Sequence, residues 1–270
     1  NLGVDVEAIF CNVDGNFPNH HPDPSDPKNF QDLKRILKEG NSELGLAFDG
    51  DADRLGVITK DGEIIFPDRQ LLLFSEAVLK KNPGSSVIFD VKSSRHLFTW
   101  IRQRGGKPVI WKTGHSLIKQ KMKEINASLA GEMSGHIFFN DKWYGFDDGH
   151  YAAARATEIL SNHDENISDI IRKFPASSST PELNITVTDE TKFTIVEKFT
   201  NECSLDGKKI TIDGLRINFD NGWGLIRASN TSPKLVMRFE GNSLKDMNEI
   251  KDLFLLELTR ICPDIVINLD

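Results

Sequence analysis

From residue 64 onward the sequence alternates short apolar runs of strand length with amphipathic segments of helix length, and this alternation constrains the fold more than any other feature. Helices are predicted over 70–81, over 116–125 with Ser116 as N-cap, and over the alanine-rich 150–160. Between them Val87-Ile88-Phe89, Val109-Ile110-Trp111 and His136-Ile137-Phe138-Phe139 read as strands, and Ser128-Leu129-Ala130 as an apolar turn. Such alternation predicts an α/β layer with a largely parallel sheet, because parallel neighbours need a crossover that a helix supplies.

The flanking regions follow other patterns. A polar, turn-rich run over 15–24 precedes a helix-like segment over 30–38, then strands over 44–48 and 55–59, and the turn Lys60-Asp61-Gly62-Glu63 leads into Ile64-Ile65-Phe66. The run Ser177-Ser178-Ser179-Thr180-Pro181 reads as an interdomain linker. Beyond it come a strand over 183–187, a helix near 193–199 and a closing helix that starts at Ser243 with Asp246 three residues on, a variant capping box. That helix carries Met247, Ile250, Phe254, Leu258 and Ile261 on one stripe. The expected fold is α/β in three parts: the end of one α/β domain over 1–63, a complete α/β mixed-sheet domain over 64–175, and a C-terminal α+β domain over 176–270.

Net charge narrows the partners. At −7 the chain has no basic excess to meet a nucleic acid backbone, although a small phosphorylated ligand needs only a few local cations. No apolar run approaches the roughly 20 residues that span a bilayer. The three cysteines, Cys11, Cys203 and Cys262, are far apart and lack metal-type spacing, so they read as reduced thiols. A cytoplasmic protein with no nucleic-acid and no membrane partner is expected. The opening Asn1-Leu2-Gly3-Val4 has no initiator Met and lies within an apolar-rich stretch, which reads as the later part of a longer chain.

Three loops carry chemistry. Asp49-Gly50-Asp51-Ala52-Asp53-Arg54 lies between two apolar strands, and its alternate carboxylates suit a hard cation such as Mg²⁺ or Ca²⁺; a solvated acidic turn is the plain alternative. An EF-hand does not fit, since its sixth and twelfth positions hold Arg54 and Lys60. A haloacid-dehalogenase phosphatase, with Asp49 as nucleophile and Asp147-Asp148 as its distal acidic pair, is the competing reading. Gly131-Glu132-Met133-Ser134-Gly135-His136 pairs an acceptor with a hydroxyl two residues apart, able to meet vicinal sugar hydroxyls; alone it is equally a glycine-bounded turn. Arg227-Ala228-Ser229-Asn230-Thr231-Ser232-Pro233-Lys234 supplies a guanidinium, hydroxyls and turn N–H groups suited to a phosphate dianion, while the Gly-x-x-x-x-Gly-Lys-Ser/Thr pattern of nucleotide binders is absent.

Together, in this order, the loops resemble the α-D-phosphohexomutase superfamily, and the likeness runs over the whole chain. Phe17-Pro18-Asn19-His20-His21-Pro22 looks like a loop of the family's second domain, and Trp111-Lys112-Thr113-Gly114-His115-Ser116 like the phosphomannomutase/phosphoglucomutase branch. The resemblance implies that Asp49, Asp51 and Asp53 hold Mg²⁺ and that Arg54 reaches the reacting phosphate. Glu132 and Ser134 would bind the sugar 3- and 4-hydroxyls, and Arg227, Ser229, Asn230 and Thr231 the phosphate that is not reacting. Lys92 and His115 would add substrate contacts, His115 also in proton transfer, although each reads equally as a solvated loop residue. It further implies a hexose phosphate substrate, interconversion of mannose or glucose 1- and 6-phosphates, and glucose 1,6-bisphosphate as activator and intermediate.

One part of the family pattern has no counterpart. The family's nucleophilic serine lies in a Thr-x-Ser-His-Asn-Pro-like loop, whereas Ser161-Asn162-His163-Asp164 lacks the threonine and proline. The expectation is that a missing N-terminal part of the same enzyme carries the phosphoserine, and that this chain alone is inactive. A non-catalytic phosphosugar-binding fragment is the third reading.

Overall fold

The computed structural model describes residues 3 to 269, so the Asn1-Leu2 opening lies outside the described residues. The chain forms two compact units, Asn1–Ile110 with Gly114–Phe174, and Trp111–Thr113 with Pro175–Asp270.

In the first unit a 3-10 turn, Pro27–Phe30, runs into α1 (Gln31–Glu39), followed by β1 (Leu44–Phe48), β2 (Leu55–Thr59) and β3 (Ile64–Ile65). These strands form an antiparallel sheet in which Phe48 faces Leu55, so residues 49–54 form the whole connection between two paired strands. Every residue of β2 is buried, which anchors the acidic loop at its Arg54 end. Next come α2 (Pro67–Lys81), with Pro67 at its first position, β4 (Ser86–Asp90), α3 (His96–Gln103), β5 (Lys107–Trp111) and α4 (His115–Ile125). β6 (Leu129–Gly131), β7 (Ile137–Phe139), α5 (Gly149–Ser161) and α6 (Ile167–Arg172) complete the unit. The order β5-β4-β6-β7 has β4 parallel to β6 and β6 antiparallel to β7, so the sheet is mixed, as expected for this domain. Leu71, Phe74, Val87, Phe89, Leu129 and Phe139 meet in its core.

Two local expectations are corrected here. Helix α4 is capped by Gly114, not Ser116: Gly114 adopts φ 134°, which an L side chain resists, and no side chain caps the helix. Ser128-Leu129-Ala130 is not a turn, since Leu129 and Ala130 belong to β6 and are fully buried; three residues are too few to show a period.

The second unit contains β8 (Ser178–Ser179), β9 (Leu183–Thr186), α7 (Lys192–Glu202), β10 (Lys208–Ile210), β11 (Leu215–Phe219), β12 (Gly222–Ala228), β13 (Lys234–Gly241) and α8 (Leu244–Ile261). Strands β10 to β13 form an antiparallel meander, and β8 and β9 both pair with β13. The run read as a linker is therefore partly sheet: Ser178 and Ser179 face Gly241 and Glu240, and the Thr180 N–H donates to Phe239 O at 3.0 Å. Its polar side chains hid this, because the pairing is made by backbone. Helix α8 follows the expected pattern. Ser243 Oγ accepts the Asp246 N–H at 3.1 Å, and Met247, Ile250, Phe254, Leu258 and Ile261 are all buried.

Candidate functional site

Strands β4 and β6 run parallel, so their carboxyl ends open on the same edge of the sheet, the edge at which α/β folds gather ligands. Lys92 follows the end of β4 and Glu132 the end of β6, and both are buried. Lys92 Nζ is 3.9 Å from Asp90 Oδ2. Glu132 Oε1 accepts the Gly114 N–H at 2.6 Å, while Oε2 is buried with no hydrogen-bond partner. Burial, reinforced by the Asp90 carboxylate, pushes Glu132 up to about 7. Ser134 is half-buried on the turn that the Gly135 N–H closes onto Glu132 O at 3.0 Å.

That turn reaches the acidic loop. Arg54 and His136 form an antiparallel bridge, and the Leu55 N–H donates to Gly135 O at 3.1 Å. On the other side the Gly149 N–H, at the start of α5, donates to Ala52 O at 3.0 Å. A Cβ at Gly149 would stand 2.7 Å from Arg54 O and 2.8 Å from Ala52 O, so only glycine permits this approach. Ala52 itself has φ 59°, an uncommon conformation for a residue with a side chain, held between these contacts.

Within the loop, Asp49, Asp51 and Asp53 bring carboxylate oxygens within 4.8 Å of one another. Arg54 Nε donates to Asp49 Oδ2 at 2.6 Å and Nη1 to Asp23 Oδ1 at 3.1 Å, which ties in the turn-rich run over 15–24. Burial favours the neutral form of Asp49, but the Arg54 contacts outweigh it and lower its pKa. Burial raises Asp53, with the Asp49, Asp51 and Asp147 carboxylates adding to it against the pull of His136. The donor set fits a hard divalent cation: three carboxylates, all oxygen, one of them destabilised by its neighbours.

Beside this loop lies a cluster that the sequence reading missed. His136 Nδ1 is 3.4 Å from Asp53 Oδ1 and 3.2 Å from Asp147 Oδ2, and His115 Nδ1 is also 3.2 Å from Asp147 Oδ2. Lys119 Nζ donates to Asp147 Oδ1 at 2.7 Å. Burial alone would lower His136, yet the Asp147 and Asp53 carboxylates raise it; burial would raise Asp147, yet His136 and Lys119 hold it far below the carboxylate range. His136 was visible as the end of a motif and Asp147 only as half of the Asp147-Asp148 pair, whereas nothing local marked Lys119. Asp148 accepts the Tyr151 N–H at 2.9 Å as N-cap of α5, so the acidic pair of the phosphatase reading is split between a helix cap and a histidine cluster.

In the second unit Arg227 lies one residue before the end of β12, paired with Val236 of β13. It is 4% exposed; Nε donates to Asp213 Oδ2 at 3.0 Å, and Nη2 is buried with no hydrogen-bond partner. The same Asp213 oxygen accepts the Thr113 N–H at 2.9 Å, and Asn230 Nδ2 donates to Thr113 O at 3.3 Å. Ser229 Oγ is 2.8 Å from Ser232 Oγ and accepts the Thr231 N–H at 3.3 Å, which shapes the turn. A buried guanidinium nitrogen without a partner, next to hydroxyls and an amide, is a composition that an anion completes. Asp213, which orients Arg227, was also missed, 14 residues away in sequence.

Family models match the chain in three consecutive parts. The phosphoglucomutase/phosphomannomutase alpha/beta/alpha domain II matches residues 1–62, domain III residues 66–177 and the C-terminal domain residues 182–257. The chain belongs to this family, in the α-D-phosphohexomutase superfamily. A phosphomannomutase/phosphoglucomutase of Pseudomonas putida is 53% identical over 265 residues, 98% of this chain and 57% of the relative. A phosphoglucomutase of Neisseria gonorrhoeae is 56% identical over 256 residues, 94% of this chain and 55% of the relative. The crystal structure of a phosphoglucomutase/phosphomannomutase family protein from Burkholderia thailandensis matches with a TM-score of 0.89 at 50% identity, covering 95% of this chain and 55% of that one. The chain thus spans a little over half the length of the family relatives it matches. Among the described residues no helix is long and apolar enough to cross a membrane.

Proposed function

We propose that this chain supplies the metal loop, sugar-contacting loop and phosphate clamp of a phosphohexomutase that interconverts the 1- and 6-phosphates of mannose or glucose through a bisphosphorylated sugar. The observation that carries the reading is the Arg54–His136 bridge, which sets the three-carboxylate loop against the Glu132–Ser134 turn within one unit. In this reading Asp49, Asp51 and Asp53 hold Mg²⁺, which when bound supplies positive charge to phosphoryl oxygens. Arg54 adds a cation beside the reacting phosphate. Glu132 and Ser134 meet the 3- and 4-hydroxyls, the free Oε2 of Glu132 being the acceptor left for them. Lys92 and His115 contact substrate, His115 also moving a proton at the reacting hydroxyl, and Arg227, Ser229, Asn230 and Thr231 grip the phosphate that is not reacting.

The phosphoryl carrier of the reading is a serine outside these 270 residues, in the remaining part of the same enzyme, with glucose 1,6-bisphosphate as activator and intermediate. A cytoplasmic setting belongs to the same proposal and fits the free thiols of Cys11, Cys203 and Cys262. A coupled assay of glucose 1-phosphate conversion, with Mg²⁺ and glucose 1,6-bisphosphate, tests it. The chain alone should bind hexose phosphate without turnover, and the complete enzyme should turn over. Turnover by the isolated chain would overturn the reading and direct attention to Asp49 as a nucleophile of its own.

A further inference from the structure

The turn between β12 and β13, which carries the clamp, is closed at Ser232. Its N–H donates to Ser229 Oγ at 3.2 Å, its Oγ lies 2.8 Å from Ser229 Oγ, and its carbonyl accepts the Lys234 N–H at 2.8 Å. The same carbonyl accepts a second bond from outside the hairpin, donated by Lys192 Nζ at 3.1 Å. Lys192 is the first residue of α7 and is 4% exposed, and its Nζ also donates to Asp189 Oδ1 at 2.7 Å. The segment leading to α7 meets the turn as well, since the Val187 N–H donates to Pro233 O at 3.0 Å.

Stability does not account for this lysine. Burying an ammonium is costly unless close partners compensate it, and the Asp189 side chain is 67% exposed, where a carboxylate contributes little. The helix macrodipole works against it too, because the N-terminal end of a helix is positive and disfavours a cation. What the position offers is a hold on the turn. Donors fixed before an anion arrives need no ordering when it binds, and a positive charge kept from water attracts an anion more strongly than one in solvent. We propose that Lys192 is a positioning residue of the phosphate clamp, whose ammonium fixes the turn through Ser232 O and sets a buried positive charge against the hairpin that carries Arg227. The proposal rests on the reading of Arg227, Ser229, Asn230 and Thr231 as that clamp.

Titration of the 270-residue chain with inorganic phosphate tests it. Lys192→Met fills the buried stem but removes the ammonium and should weaken binding roughly tenfold, whereas Lys192→Arg keeps charge and donors and should stay within about threefold of the parent. Lys192→Gln keeps a polar tip but is too short to reach Ser232 O, so it should lose as much as Lys192→Met and decides the matter if the methionine variant does not fold. Parent-like affinity in a folded Lys192→Met or Lys192→Gln chain overturns the proposal and leaves the clamp standing, while a parent chain that binds no phosphate overturns both. In the complete enzyme Lys192→Met should raise KM for glucose 1-phosphate roughly tenfold with kcat within about twofold, because the phosphate held by the clamp is not the one that reacts. A lower kcat at unchanged KM is the mark of a merely structural residue, which only reduces the amount of folded enzyme, and would overturn the proposal. If the complete parent enzyme shows no mutase turnover while phosphate binding to the chain falls as expected, the mutase reading fails and the role of Lys192 stands.

Discussion

The two candidate surfaces are built in opposite ways. The acidic and histidine side of the first unit is assembled from segments far apart in sequence: Asp23, the 49–54 loop, Lys92, Gly114–Lys119, Glu132–His136 and Asp147. The Arg227 clamp of the second unit lies on one hairpin, steadied by Asp213 from the preceding turn. Charge is also handled differently. In the first unit like charges crowd, so Glu132 and Asp53 are raised while Asp49 and Asp147 are lowered. The clamp instead sets one guanidinium against one carboxylate. A surface of the first kind depends on backbone fit between distant segments; one of the second kind depends on a single side chain. Substitutions can separate these dependences.

The largest effect is expected where backbone fit is tightest. Gly149→Ala puts a Cβ 2.7 Å from Arg54 O and strains the 3.0 Å bond to Ala52 O, so the acidic loop or the start of α5 must move. Overpacking of this kind together with a weakened hydrogen bond should cost roughly 3 kcal/mol, seen as a lower urea midpoint with unchanged m-value. Unaltered stability would show that the two loops are not locked together. Glu132 tests the crowding of charge. Its folded-state value near 7 lies above the ordinary 4.5, so burial favours the acid form; the associated stability is fully present below pH ~4.5 and is lost as pH rises through about 7. Glu132→Gln should remove that loss, making the chain more stable than its parent by on the order of 2 to 3 kcal/mol at pH ~8 and no different at pH ~4.5. Melting curves at the two pH values decide it, and a gap that persists at low pH would contradict the assigned cause.

Legibility in the sequence follows the same division. Strand and helix periods exposed α1, β1, β2, α2, α5 and α8, and all three loops stood out because each is a contiguous run between apolar segments. Some elements did not: β6 reads as a turn because its three residues follow Ser128 and run into the glycine-bounded 131–136 stretch, the two residues of β8 lie in a polar run, and α3 and α6 went unread. Lys119 and Asp213 carry no local mark, their acidic and basic partners Asp147 and Arg227 lying 28 and 14 residues away, and Asp147 stood out only as half of an acidic pair. The Gly114 cap was hidden by Ser116, a better capping residue by type but two residues too late.

On the clamp side, Arg227→Lys keeps the charge and loses the fork. Lysine cannot hold Asp213 and still present a second nitrogen, so inorganic phosphate binding to the chain should weaken by roughly tenfold, about 1.4 kcal/mol. Calorimetry with phosphate reads this, and affinity equal to the parent's would mean that charge alone, not bidentate geometry, makes the clamp.

The smallest effect is expected at Asp51, and it sharpens the comparison most. Asp51 is exposed, whereas Asp49 is buried and bound to Arg54, and Asp53 is half-buried beside His136. Asp51→Asn therefore removes one formal charge from a three-carboxylate site while breaking none of the contacts that hold the 49–54 loop to Gly135 and Gly149. Because affinity for a hard cation depends on ligand charge, Mg²⁺ binding should weaken by several-fold to about tenfold. Stability without metal should stay within about 0.5 kcal/mol of the parent, as for an exposed substitution that creates no cavity and strands no buried group. Titration calorimetry and a urea melt, run on the same preparation, separate the two quantities. Unchanged Mg²⁺ affinity would remove Asp51 from the ligand set. A large loss of stability would mean instead that the loop is held together by its charges, and that the contrast between backbone fit in one unit and a single side chain in the other is drawn in the wrong place.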